Sequence, residues 1–223
     1  MSKKKFSGEL ALLIAIVYNS INLNLLVHGG FGISTLSSVP YVLSVAFPIT
    51  SLGTWTIIIQ SLTLLVMMVI TRRFKIGYIL SFFVAILFGY SVDLTAPLIA
   101  LIPTSLPFRV LCLGVGLVGT AIGAAFFLLC KLPIQPFDLF VREVVDASKK
   151  SVHFVRMRYD GVSLTISLVV TLFFIKHLDG IGIGTVLGFL FTGKLSQIFV
   201  DFLTSRFEFT QFTKVGAFLE KIS

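Results

Sequence analysis

Lys194 is the residue whose type and position most invite chemistry. It lies in GIGIGTVLGFLFTGKLSQIF, roughly 20 Å into an apolar stretch that starts near Ile181, counting 1.5 Å per helical residue. A lysine at that depth in a bilayer costs about 2.5–3.5 kcal/mol unless it faces protein or water. Three readings follow: it holds an anionic group, it couples a proton, or its stem snorkels to the inner face. Asp93 is the obvious partner by charge. It stands only about 5 Å from the end of its own apolar stretch, so a direct pair with Lys194 is not expected. Gln197, three residues beyond Lys194, is a candidate for the same site.

The uncharged polar candidates are Asn19, Asn22, Ser34 and Thr35. Asn19 and Asn22 lie three apart on one face of the first apolar stretch, with Asn24 off that face. An amide in hydrocarbon is costly unless paired, so the face points into a bundle. There it either joins helices or lines a polar cavity. Ser34 and Thr35, with Ser37 and Ser38, follow the helix-breaking Gly29, Gly30 and Gly32 in a stretch free of Lys, Arg, Asp and Glu. Backbone of that kind is tolerated at membrane depth only where protein or a wet cavity surrounds it. Asp138 follows Pro133 and Pro136 and is either the N-cap of a helix or a solute or cation contact at an inner mouth.

Other apparent motifs carry less. Gly114-Val-Gly116-Leu-Val-Gly119 has the GxGxxG form, but no strand precedes it and it lies inside an apolar span. With Gly123 it reads as a small-residue seam for helix packing. Gly180, Gly184 and Gly188 repeat the four-residue spacing. His28, His153 and His177 show no metal-ligand spacing. Cys112 and Cys130, roughly 27 Å apart along one helix, cannot bridge. No metal, cofactor or enzymatic activity is expected.

The elements that must position these residues are membrane spans. The chain is 56% hydrophobic and only 13% charged, where a soluble domain is near half apolar and a quarter charged. The net charge of +8 is not a nucleic-acid footprint, because the basic residues flank apolar spans instead of forming one patch. No nucleic-acid partner is expected; anionic lipid heads explain the charge. MSKKKF begins a retained first span, since no small-residue cleavage site follows.

Six spans are predicted, near 9–27, 54–71, 76–96, 109–130, 161–176 and 181–203. With both termini, Arg72–Lys75 and Lys131–Asp160 on one side, fifteen of the eighteen Lys and Arg residues share that side. The positive-inside rule makes it the cytoplasm. Only Arg109, Lys176 and Lys194 fall elsewhere. Within the 131–160 cytoplasmic loop, Phe137, Phe140, Val141, Val144 and Val145 recur at helical spacing, with Val152 and Val155 further on. This predicts an amphipathic helix on the inner membrane face, with Arg142–Asp146 and Asp146–Lys150 as i,i+4 pairs. Asp160 and Asp201 are expected at helix ends.

A shift of 104 residues lays the first three spans on the last three without gaps and sets Gly89 on Gly193. The likeness is one of hydropathy, with identities near chance. Three spans per half force opposite orientations, so the fold expected is all-α and polytopic. It is a single membrane domain over 1–223, with inverted repeats at about 9–96 and 109–203 and a re-entrant or interfacial piece at Tyr41–Phe47.

GISTLSSVPYVL in the first half and PIQPFDLFVREV in the second, with YDGVSL and GIGIGTVLGFLFTGKLSQIF after them, give the chain a family likeness. It resembles the YitT/YczE-type bacterial membrane proteins over nearly its whole length. The resemblance implies a multi-pass protein of the bacterial cytoplasmic membrane, with transport often presumed and no settled catalytic residues to carry over. Leu80–Ser81 against Gly184–Thr185 departs from equivalence of the halves. Three functions are open: a small secondary transporter of a small molecule or ion, a module binding a membrane or cytoplasmic protein through the 131–160 loop, and a substrate-binding importer subunit. The transporter site expected is Asn19, Asn22, Ser34, Thr35, Asp93, Lys194 and Gln197, with Asp138 at the inner mouth.

Overall fold

An apolar run away from water must satisfy its own backbone, and coiling into a helix does this within the run. The computed structural model describes residues 4–150, 152–176, 180–213 and 216. A strand, β1 (Lys4–Ser7), leads into α1 (Gly8–Gly29); then come α2 (Thr35–Ala46), α3 (Leu52–Thr71), α4 (Ile76–Ile99), α5 (Leu106–Leu129) and α6 (Pro136–Ser148). α7 (Val152–Val170) continues through a π-helical turn at Thr171–Ile175, and α8 (Ile183–Arg206) ends in β2 (Phe207–Thr210). Six of these helices are long and apolar enough to cross a membrane, which makes the chain a multi-pass membrane protein. α2 and α6 are too short to do so.

Two predicted boundaries move. The stretch 131–160 is not one loop. α6 stops at Ser148 because Lys149 takes a left-handed backbone (φ 57°). Val152 and Val155 then belong to α7, which starts well before the predicted span at 161. The piece expected at Tyr41–Phe47 falls in a longer helix, Thr35–Ala46, with Pro40 inside it. The turn before it needs its glycines: Gly30 and Gly32 have φ of 67° and 104°, where a side chain is strained. Gly32 also lies against Gly182 and Thr185. Phe31 and Ile33 bond across to the second half, Gly184 N–H to Phe31 C=O at 2.7 Å and Ile33 N–H to Gly180 C=O at 3.0 Å.

α1 is the spine and pairs antiparallel with α5. Asn22 fills the notch at Gly119, Asn19 the notch at Gly123, and Leu26 the one at Gly116. α4 flanks α1 and α8 flanks α5. The second group, α2, α3, α6 and α7, packs on itself: α2 on α7 and α3, α6 on α3 and α7. The two groups meet closely along α3–α4, where Gly53 and Gly89 let the backbones approach. Among the described residues α7 and α8 make almost no contact.

The chain ends are tied together. β1 pairs parallel with β2, Lys4 opposite Phe207 and Ser7 opposite Thr210. Glu9 accepts from the Thr213 hydroxyl (2.8 Å) and from the Phe212 and Thr213 amides. β1 and β2 therefore lie at one end of the bundle. The α3–α4 turn with Arg72, Arg73 and Lys75 and the α6–α7 turn with Lys149 and Lys150 share that end, hereafter the basic end.

Candidate functional site

α7 enters the bundle from the basic end with a polar face. Asp160, Ser163, Ser167 and Thr171 recur every three or four residues and are all buried. Asp160 lies roughly 12 Å along α7 from Val152. Burying its carboxylate costs several kcal/mol unless it is paired, and it has two partners. Thr35 Oγ1, on the first residue of α2, donates to its Oδ1 at 2.8 Å. Arg156 Nε, one turn earlier on α7, stands 3.4 Å from its Oδ2. Arg156 also donates to Asp138 in the first turn of α6, at 3.2 Å. A chain of Thr35, Asp160, Arg156 and Asp138 thus joins the N-terminal turns of the two short helices. Both turns carry the positive end of a helix dipole, which favours a carboxylate beside them.

Neighbouring contacts fix how these helices lie. Thr35–Asp160, Ser38–Ser167 (2.9 Å) and the Phe47–Phe174 ring pair rise together, so α2 runs alongside α7 in the same direction. α6 does the same beside α3. Its start meets Tyr159 through Phe137 and Phe140, and Tyr159 OH reaches Thr63 on α3. Its C-terminal part meets the end of α3, where Glu143 holds Lys75 through both carboxylate oxygens at 2.8 Å and accepts from Tyr78 OH at 2.9 Å. Asp146 binds Arg73 and Lys149 there. The Arg73 hydrogen bond, with Lys149 adding to it, holds the Asp146 carboxyl below its ordinary value. Each short helix therefore starts inside the bundle and runs outward, α6 to the basic end and α2 to the opposite one.

Two buried amides have side-chain atoms with no partner among the described residues. Gln60, fully buried on α3 one turn from Thr63, has neither side-chain polar atom bonded. Gln135, the residue capping α6, has a buried Nε2 without an acceptor. Buried polar groups usually have partners; Ser81 and Thr171 also carry buried hydroxyls with none among the described residues.

The residues expected from sequence are mostly elsewhere. Asn19 and Asn22 donate to carbonyls of their own helix, Ala15 and Tyr18, and serve the α1–α5 seam. Asn24, set aside in the sequence, makes the interhelical bonds, to Val92 C=O (2.8 Å) and Thr95 Oγ1 (2.9 Å) on α4. Ser34 precedes α2 without a side-chain capping bond. Asp93 accepts from Ser51 Oγ and from the Gly53 amide (2.8 Å), holding the start of α3. Gln197 donates to Asp201 (2.8 Å) on an exposed face of α8. Lys194 is exposed on α8 and, among the described residues, has no hydrogen-bond or ion-pair partner. Of the seven, only Thr35 enters the buried network.

Asp138 does enter it, as a partner of Arg156. It is not the N-cap of α6, because that helix already starts at Pro136 after Gln135. Asp160 and Asp201 are inside helices, not at their ends. Asp146 bonds Arg73 and Lys149, where the pair Asp146–Lys150 was expected. Arg156, Tyr159, Asp160 and Gln60 are the residues sequence reading missed. The signal was the hydroxyl face that continues Asp160 into the apolar run at Ser163, Ser167 and Thr171.

The glycines of the GxGxxG match serve packing, except Gly114, which meets nothing within 4 Å. Among the described residues no His, Cys, Asp and Glu group could hold a metal. His177 and the side chain of His153 lie outside the described residues. Both cysteines are free and buried.

No solved structure matches the chain. It is 26% identical over 196 residues to an uncharacterized protein, YyaS, of Bacillus subtilis (strain 168), covering 87% of this chain and 92% of that protein. The match to DUF6198, a family of unknown function, runs over residues 6–201, and the chain belongs to that family.

Proposed function

We propose that this protein is a small secondary transporter of the bacterial cytoplasmic membrane, with the basic end and both chain ends in the cytoplasm. Its solute site is the partly buried network around Arg156. The observation that carries the reading is that one ion-pair chain joins the first turns of two short helices from opposite halves of the chain. Each half has the order long, short, long, long: α1 to α4, then α5 to α8. Their packing also corresponds, since α2 lies on α7 as α6 lies on α3, and α4 flanks α1 as α8 flanks α5. This supports inverted repeats with two re-entrant short helices, an arrangement that places solute sites at discontinuous helices near the membrane midplane. The YitT/YczE-type resemblance belongs to the same reading. The orientation rests on the positive-inside rule.

The network suits a solute with several hydrogen-bonding groups. Arg156 Nη1 meets Asp138 and Arg156 Nε meets Asp160, while Gln60 on α3 and Nε2 of Gln135 at the start of α6 have no partner among the described residues. The partner-binding reading has less support. The apolar face of α6 that would serve a partner is buried inside the chain at Phe137, Leu139 and Val141.

The test is a thermal-shift screen of the detergent-purified protein against metabolites and ions, followed by flux of each hit in proteoliposomes. A ligand at 100 times its dissociation constant adds about 2.7 kcal/mol of apparent stability. The expected result is a shift and a flux both lost in Asp160→Asn and Arg156→Ala and kept in Lys194→Ala. A shift that survives the first two substitutions removes the site, and binding without flux removes transport.

A further inference from the structure

The two halves differ at one seam. α3 packs closely on α4: Ile57 lies against Gly89, Gly53 against the Gly89 carbonyl, and Asp93 binds Ser51 and the Gly53 amide. At the offset of 104 residues, Ile57 corresponds to Gly161 and Gly89 to Gly193. Nothing lies within 4 Å of where a Cβ would stand on either Gly161 or Gly193. α7 and α8 are separated where α3 and α4 touch. The two helices come from the half whose other packing matches, so the difference is in position and not in element order.

The end at which each seam can open is set by the turns. α3 and α4 are joined at the basic end, where Lys75 and Tyr78 also hold Glu143 of α6. That seam can part only at the Ser51–Asp93 end. α7 and α8 are joined at the other end, so their gap opens toward the basic end. A shallow hollow lined by Arg158, Gly161, Val162 and Thr165 lies beside α7 on that side. Within the network the Arg156 side chain is 38% exposed, against 6% for Asp160.

We infer that α2, α3, α6 and α7 move as one body against α1, α4, α5 and α8, and that the structure is the state open at the basic end. In the alternate state α7 closes on α8 through Gly161 and Gly193, while α3 leaves α4 at the Ser51–Asp93 end. Every residue of the network, with Thr63, Tyr159 and Gln60, is on the moving body, so its ion pairs survive the motion. The two small side-chain positions are what let α7 and α8 meet, since lipid-embedded helices approach closest at glycines. This inference rests on the transport reading above and supplies its access step.

The test uses the full chain in native membranes, with Cys112 and Cys130 replaced by alanine. Gly161→Cys with Gly193→Cys forms a disulfide under mild oxidant only if α7 and α8 come together, because the Cα atoms must be within about 7 Å. Ser51→Cys with Asp93→Cys pins the α3–α4 seam. The expected result is a Gly161–Gly193 cross-link whose yield falls about tenfold once the Ser51–Asp93 pair is closed. A pair that never cross-links, although each single cysteine takes a maleimide, overturns the motion. So does a yield indifferent to the pin. Should the glycine variants fail to fold, spin labels on the exposed Ile166 of α7 and Leu190 of α8 report the same distance. Two populations are expected, and one long population overturns the inference. Flux that continues without any α7–α8 approach leaves transport standing and removes this motion; loss of ligand binding in Asp160→Asn tests transport separately.

Discussion

Glu143 shows how single side chains hold this bundle. Its carboxylate is 4% exposed and depends on Lys75, itself 42% exposed, and on Tyr78 OH. Removing one partner of a buried pair costs more than the pair is worth, because a desolvated charge is stranded. Lys75→Met should therefore destabilise the protein by about 2 kcal/mol, discounted for the exposure of Lys75. Glu143→Gln, which leaves Tyr78 an acceptor and strands no anion, should cost about half as much. Chemical denaturation in one detergent compares the two; equal losses would show that the carboxylate is not electrostatically buried. Asp93 shows the converse of a sequence expectation: a carboxylate sought as a solute ligand is engaged at the first turn of α3.

At the scale of elements, the α1–α5 pair depends on notches. Gly119 and Gly123 are filled by Asn22 and Asn19, which have turned their amide donors onto their own helix. A side chain at Gly119 would occupy the space of Asn22. Gly119→Val should destabilise the chain by about 2 kcal/mol or more through overpacking, whereas Gly114→Ala, facing open space, should be neutral. Thermal unfolding of both variants checks this, and a tolerated Gly119→Val would mean that the helices separate at little cost. The same small residues produce the GxGxxG pattern, so the match reports a packing surface. α6 was legible from its apolar spacing, yet its apolar face meets α3 and not lipid. Only the position of α3 decides between those two environments.

For the whole molecule, the clasp of β1 on β2 closes the chain on itself. Glu9 is its centre, receiving hydrogen bonds from Phe212 and Thr213. Glu9→Ala should free the β2 end with a loss of about 1 kcal/mol. Hydrogen exchange should then quicken at Phe209 and Thr210 and stay unchanged in α1 and α5. Faster exchange throughout α1 would instead mean that the clasp supports the spine. Larger still is the division into two four-helix groups that meet chiefly along α3–α4, with Tyr78 of α4 also holding Glu143 of α6. No local feature of the chain announces it, because each group takes helices from both halves.

The sequence by itself determined the six spans, one of the two short helices, α6, and the side shared by the basic turns. Those follow from hydrophobic length, glycine and proline breaks, and the sign of flanking charge, all of which act locally along the chain. It also showed Asn19, Asn22, Asp93 and Lys194 to be unusual in apolar surroundings, without saying which would meet. The tertiary structure alone decided that Asp160 is buried and that the half-buried Arg156 joins it to Asp138, between α2 and α6. Their neighbours in sequence are charged residues of a turn, and only the inward start of α6 carries that turn's first half back into the bundle. A buried ion pair is a property of what surrounds it, and Thr35 and Asp160, 125 residues apart, become neighbours only when two short helices from opposite halves begin at the same depth.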